Sequence, residues 1–291
     1  MNKLFLFITI VIFSFTSKAQ NADSAWFVNN YTKKEVYIPM RDGIKLFTSF
    51  YIPKDPSEKH PFLLTRTPYS CAPYGEGRFP AIWNSYKFAY AKENYIFVTQ
   101  DVRGRYMSEG VFEDVRPFNK NKKARLNGQV GQGKEIDEAS DTYDAIDWMI
   151  KNIANNNGNV GVTGTSYPGF YSTQAALSNH PALKAVSPQA PVTDWFIGDD
   201  FHHNGAFFQM DAFGFYPTFG KPHPVPTKDY GSGFVRTNKD NYDFFLKAGT
   251  LKNLSKMIGD SIKFWHEMME HPNYDAWWQA RDARVGMYNI K

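Results

Sequence analysis

Apolar and polar residues alternate at Val36, Ile38 and Met40, the two-residue period of a half-buried strand. Asp42-Gly43 breaks the run, and residues 44 to 52 (IKLFTSFYI) return as a second strand, so the pair predicts a hairpin. Residues 62 to 65 and 95 to 99 (YIFVT) are short apolar runs of buried-strand type, with a helix-like stretch near 81 to 92 between them. Residues 111 to 134 are polar and rich in Gly and Asn, which predicts an irregular loop or insertion. Ala139, Tyr143, Ile146, Met149 and Ile153 then recur at three- and four-residue steps, the pattern of an amphipathic helix. Asp137 and Glu138 stand at its start, where the helix dipole favours negative charge, and residues 155 to 158 (NNNG) end it. Residues 160 to 164 and 183 to 189 read as two further strands, with a helix over about 168 to 178 between them. Strands alternating with helices predict an α/β fold built on a doubly wound, mostly parallel sheet. Beyond about residue 199 no further strand is expected; Gly, Pro and aromatic residues fill 205 to 235, and 241 to 283 read as several short helices. The expected organisation is a core over 20–200 and a helical cap over 201–291.

The first nineteen residues are excluded from that core. Lys3 precedes an apolar run at 4 to 16 (LFLFITIVIFSFT), and Ser17 and Ala19 have the small side chains a signal peptidase reads. The run is too short for a comfortable membrane span. The expectation is a signal peptide over 1–19, cleavage after Ala19, and a secreted (periplasmic or extracellular) product with no membrane partner. A net charge of +4 over 291 residues is no nucleic-acid footprint. The basic cluster Lys120, Lys122, Lys123 and Arg125 lies among Asn119, Asn121 and Gly128 and reads as a solvated loop. Cys71 is the only cysteine, so no internal disulfide supports the fold.

The segment that carries chemistry is Gly164-Thr165-Ser166-Tyr167-Pro168-Gly169. A strand ends at Gly164, and Pro168 suits the first turn of a helix, where its missing N–H costs nothing. A serine between strand end and helix start fits a nucleophile elbow, whose sharp turn lifts the hydroxyl above the sheet. The helix N-terminus favours the negative charge of an acyl-transfer intermediate. Pro168 occupies the second glycine position of the commoner G-x-S-x-G pattern, and on the motif alone a structural turn serine is the alternative.

G-x-S-Y-x-G at 164 to 169 resembles the elbow of the CocE/NonD-type serine hydrolase family, which holds cocaine esterase, α-amino-acid ester hydrolases and Xaa-Pro dipeptidyl peptidases. Residues 39 to 43 (PMRDG), 65 to 69 (TRTPY) and 101 to 110 (DVRGRYMSEG) resemble that family's first hairpin, oxyanion-hole segment and D-x-R-G-x-x-x-S-x-G loop. Residues 190 to 206 (APVTDWFIGDDFHHNGA) are most similar to the α-amino-acid ester hydrolases. The resemblance implies an α/β-hydrolase fold with Ser166 as the acylated nucleophile, and an oxyanion hole made by the Tyr69 hydroxyl and the Tyr167 backbone N–H. A phenol suits that task because it donates while staying protonated at neutral pH. Asp200 matches the carboxylate that helps to bind a substrate α-ammonium group. Its neighbour Asp199 reads as a surface charge, and Asp101, Arg103 and Arg105 as loop-fixing ion pairs. The implied partner is a small ester, amide or peptide substrate, and no cofactor is implied; self-association as a homo-oligomer is left open.

A serine hydroxyl is a weak nucleophile without a general base that is itself oriented by an acid. The resembled family places both on strands after the cap, so the chain reads as an N-terminal fragment lacking them and inactive alone. Three rivals remain: a smaller complete hydrolase that recruits His202 or His203, a non-catalytic binding module, and an interrupted gene product. His266 and His271 lie five apart, about 140° around a helix, whereas a zinc helix needs a spacing of four. No metal is expected there, and His60, His180 and His223 carry no signal.

Overall fold

The computed structural model describes residues 22–119, 136–231, 233–236, 238 and 240–290. The expected signal peptide and the Lys120–Arg125 cluster lie outside the described residues. After helix α1 (Ala22–Asn30), strands β1 (Tyr31–Pro39) and β2 (Lys45–Pro53) form the expected antiparallel hairpin, with Pro39 opposite Lys45. The turn closes through Met40 N–H to Ile44 O at 2.8 Å, and Gly43 takes the positive φ of 86° that it requires. Strands β3 (His60–Thr67), β4 (Ile96–Asp101), β5 (Asn156–Thr165) and β6 (Leu183–Gln189) complete a sheet of order β1-β2-β4-β3-β5-β6. The last four strands are mutually parallel, and β2 meets β4 antiparallel.

The two-residue period decides which side chain enters which core. Phe62 and Leu64 of β3, with Ile96 and Val98 of β4, pack beneath helix α3 (Glu138–Asn152) and Ala175 of α4 (Tyr167–Ala176). Leu63 and Phe97 point the other way, onto Phe27 of α1 and Ala91 of α2 (Lys87–Lys92). Helix α3 begins at a reciprocal cap: the Asp137 carboxylate accepts from Ser140 N–H, and Asp137 N–H donates to Ser140 Oγ, both at 2.8 Å. Buried ion pairs join the layers. Arg66 meets Glu138 at 3.0 Å, and Arg103 bridges Asp42 of the hairpin turn and Asp141 of α3, both at 2.7 Å.

The structure departs from the pattern in three places. Residues 156 to 158 do more than end a helix: they open β5, held by Asn156 Nδ2 donating to the carbonyls of Ile150 and Ile153. Beyond residue 197, where no strand was expected, β7 (Gly198–Asp199), β8 (His202–His203) and β9 (Ala206–Phe207) form a small antiparallel sheet. Two-residue strands are too short to display a period, which is why they were illegible. Helix α5 (Gln209–Phe219) runs through a glycine and Pro217, residues that disfavour helix and concealed it. It packs with α6 (Asn241–Ala248), α7 (Leu251–Ile258), α8 (Lys263–Glu270) and α9 (Ala276–Arg281) around an aromatic core that includes Phe213, Tyr216 and Trp265. Tyr167, Phe170 and Tyr171 of α4 belong to that same core, so it lies directly against the elbow.

Candidate active site

Ser166 stands where β5 ends and α4 begins, with φ 61° and ψ −125°. A non-glycine residue with positive φ is strained, and strain here lifts the side chain out of the sheet. The backbone is pinned on both sides: Ser166 N–H donates to Gln189 O at 3.0 Å, and Phe170 N–H donates to Ser166 O at 3.1 Å. The glycines of the motif now have a steric reason. A Cβ at Gly164 would sit 2.2 Å from Pro168 O, and one at Gly169 would sit 2.8 Å from Gln189 O. The Ser166 side chain is exposed, not buried in the sheet.

Tyr69 follows β3 and is 42% exposed, with its phenol facing the same cavity as Ser166 and near enough to its hydroxyl for the two to influence each other. Burial of the phenol's surroundings pushes its pKa up to about 12; the Asp200 carboxylate adds to the rise and Ser166 opposes it. The loop that carries Tyr69 is fastened from below. Asp101, buried, accepts from Cys71 N–H at 2.7 Å and from the Tyr74 hydroxyl at 2.9 Å. Arg105 donates to Pro68 O at 3.1 Å and to Phe219 O at 2.8 Å, tying the Tyr69 segment to the end of α5. Of the three residues expected to form loop-fixing ion pairs, Arg103 does so; Asp101 and Arg105 instead fix their loops through neutral partners.

Tyr167 has its side chain buried, and its N–H is the first of α4, one of the donors that a helix leaves without an internal partner. Its hydroxyl accepts from Val115 N–H at 2.8 Å and donates to Asp114 at 3.1 Å, while Tyr216 of α5 donates to the same carboxylate oxygen at 3.2 Å. Burial pushes the Asp114 carboxyl up to about 7. Asp114 thus joins the residue after the serine to the cap. Its own segment, polar and irregular, carried no sign of this.

A cavity of about 460 Å³ brings Ser166, Tyr69, Tyr167 and Asp200 together, with Val192, Trp195, Phe201, Met210, Asp211, Gly214 and Phe215 on its walls. The Asp200 carboxyl is raised by burial first, then by Asp199; the Trp195 indole lowers it and Asp211 raises it. Asp199 is not a free surface charge. Its carboxylate accepts from Thr193 N–H at 2.6 Å and from Asp200 N–H at 2.9 Å, and so shapes the loop that presents Asp200. No histidine among the described residues lines the cavity. His202 is buried with Nδ1 on Trp195 O at 2.9 Å and its ring stacked on Phe196, while His203 is exposed. His266 bonds Gly259 O, and His271 bonds Asp275.

A mostly parallel sheet with helices on both faces, an exposed serine at its strand-to-helix elbow and a helical cap over that serine define an α/β-hydrolase-type fold. The chain belongs to the X-Pro dipeptidyl-peptidase (S15) family, whose model matches residues 42–291. It is similar to an aminopeptidase from the marine sediment archaeon Thaumarchaeota archaeon, with 35% identity and a TM-score of 0.75 over 89% of this chain and 41% of that one. An α-amino acid ester hydrolase is also similar, with 35% identity and a TM-score of 0.74 over 98% of this chain and 44% of that one. Cocaine esterase of Rhodococcus sp. (strain MB1 Bresler) is 26% identical over 268 residues, 86% of this chain and 41% of its own length. The relatives are ester and peptide hydrolases, and this chain spans about two fifths of the length of each of the three.

Proposed function

We propose that this chain carries the nucleophile, oxyanion hole and part of the substrate pocket of a serine hydrolase. The single observation that carries the reading is the exposed Ser166 hydroxyl held at the elbow in one cavity with the Tyr69 phenol. Ser166 Oγ attacks the carbonyl carbon of an ester or amide, and its proton passes to a general base. The carbonyl oxygen becomes an oxyanion that accepts from the Tyr69 hydroxyl and the Tyr167 N–H. Collapse breaks the bond to the alcohol or amine, which leaves with the proton, and water then hydrolyses the acyl-enzyme. A phenol with its pKa at about 12 stays protonated through this cycle and so remains a donor. Asp200 in the same cavity supports acyl groups with a free α-amino group: amino-acid esters, β-lactam side chains or N-terminal dipeptides.

The general base is not among the described residues that line the cavity. We therefore expect little or no turnover from these 291 residues alone. The apolar pattern at residues 4 to 16 supports export of the product. A second reading, a binding module that keeps the cavity without turning over, is favoured by the same lack of a cavity histidine.

Three measurements on the purified chain decide. A fluorophosphonate probe should add its mass slowly to the peptide containing Ser166, since the oxyanion donors alone leave residual reactivity, and Ser166→Ala should abolish the adduct. A chain that binds amino-acid amides yet never labels at Ser166 is the binding module instead. Fast hydrolysis of an activated amino-acid ester that disappears with His202→Ala or His203→Ala in a chain that stays folded would establish the smaller complete hydrolase.

A further inference from the structure

One wall of the Ser166 cavity is helix α5, which contributes Met210, Asp211, Gly214 and Phe215. Residues 211, 214 and 215 are spaced by three and four, so they share one face of that helix. Gly214 is in the helix interior, where glycine is disfavoured relative to alanine. No neighbour demands it: a Cβ placed there would meet nothing within 4 Å. What the missing side chain leaves is open space on the cavity wall, beside the ring of Phe215.

Asp211 stands in the first turn of α5 and is exposed to the cavity. An acid there commonly bonds the backbone N–H of the N-cap residue. In this helix the N-cap is Phe208, and its N–H already donates to Phe201 O at 2.8 Å. Among the described residues no ion pair or hydrogen bond engages the Asp211 carboxylate. The remaining structural use, a favourable placement in the helix dipole, does not require it to face the cavity.

An independent feature of the same cavity points to a ligand. Trp195 is 4% exposed and lines the wall, and its indole N–H has no partner in hydrogen-bonding geometry, although it lies close enough to Asp200 to favour the charged carboxylate. A buried donor without a full partner is costly, and a bound acceptor such as a substrate carbonyl removes that cost.

We propose that the α5 wall is the subsite for the acyl side chain, and that it takes a long side chain ending in a cation. The aliphatic stem lies over Gly214 and Phe215, and the ammonium or guanidinium head meets Asp211. The favoured acyl groups are then of lysyl or arginyl type. The inference rests on the reading above in which Asp200 takes the α-ammonium group, and it assigns the second positive charge to the second carboxylate. With a neutral side chain the α-ammonium group still neutralises Asp200, but Asp211, whose charge reaches Asp200, is left without a cation.

The test is calorimetric titration of the Ser166→Ala chain with lysinamide and with norleucinamide, which has a similar aliphatic stem without the terminal ammonium. Lysinamide should bind at least about tenfold more tightly at low ionic strength, and Asp211→Asn should bring the ratio to within about twofold. Asp211→Glu should restore the preference, and added salt should narrow it in the unsubstituted protein. Gly214→Leu should weaken both ligands. Equal binding of the two amides, or a lysine preference that survives Asp211→Asn, overturns the subsite. Norleucinamide binding that Asp200→Asn abolishes leaves the α-amino reading standing when the lysine preference is absent. Failure of the cooperatively folded chain to bind either amide removes both.

Discussion

The sheet and the cap hold together by different means, and each supplies a different part of the site. In the sheet, buried guanidinium groups link separate layers: Arg66 reaches Glu138, and Arg103 reaches Asp42 and Asp141. In the cap the work falls to rings. Trp265 packs on Phe207 and Phe213, and Phe215 stacks on Phe219 with centroids 4.4 Å apart. Directional ion pairs and buried hydrogen bonds fix a geometry closely, which suits the Ser166 elbow and the Tyr69 loop, whose donors must meet one developing charge. Ring packing tolerates exchange of shape more readily, which suits the wall that meets a variable side chain. The difference assigns chemistry to the strand ends and selectivity to the helices above them.

The sharpest way to break that comparison is at the sheet. Arg103→Met leaves the Asp42 carboxylate without its cation and the almost fully buried Asp141 with Arg66 alone, at 3.7 Å, and should cost about 3–5 kcal/mol. Urea denaturation followed by far-UV circular dichroism measures it, and a loss comparable to that of an exposed pair would show the network to be dispensable.

Trp265→Ala removes a fully buried ring from the cap and should cost about 3 kcal/mol or more within it. Hydrogen exchange should show protection falling in α5 to α9 while β3 to β5 keep theirs. Equal loss in both would make sheet and cap one cooperative unit and erase the distinction.

The smallest effect sharpens the seam between them. Burial holds the Asp114 carboxyl at about 7 and that of Asp101 at about 6, against an ordinary value of 3.8. The folded chain therefore keeps their protons over a range in which the unfolded chain has lost them. The stability this contributes is full below about pH 4 and is lost as pH rises through 6 and then 7. Asp114→Asn, which cannot ionise and still accepts from Tyr167 and Tyr216, should flatten part of the fall in the urea midpoint between pH 5 and pH 8. An unchanged slope would mean that Asp114 titrates as an ordinary carboxyl.

Legibility followed the same division. Residues 36 to 52, 62 to 65 and 95 to 99 announced themselves because a half-buried or fully buried strand writes its burial into adjacent positions. Ser166 was legible because an elbow needs small residues at fixed steps, and Gly164 and Gly169 turn out to be the positions where a Cβ would strike backbone. Asp114, Asp211 and the β7–β9 sheet were not: Asp114 owes its place to a distant partner, Asp211 owes its cavity position to where α5 lies, and two-residue strands are too short to display a period. Asp114 meets Tyr216, 102 residues away, and no local pattern encodes that separation.

The order of strands and helices, the hairpin at Asp42-Gly43 and the identity of the elbow serine were determined by sequence alone, because each depends on residues within a few positions of one another. Only the tertiary structure decided that Asp114 ties Tyr167 to the cap, that Asp199 shapes the Asp200 loop, and that Asp211 shares the Ser166 cavity. Those are meetings across loops whose closure is set by packing and buried hydrogen bonds, terms that belong to the whole fold and to no single segment.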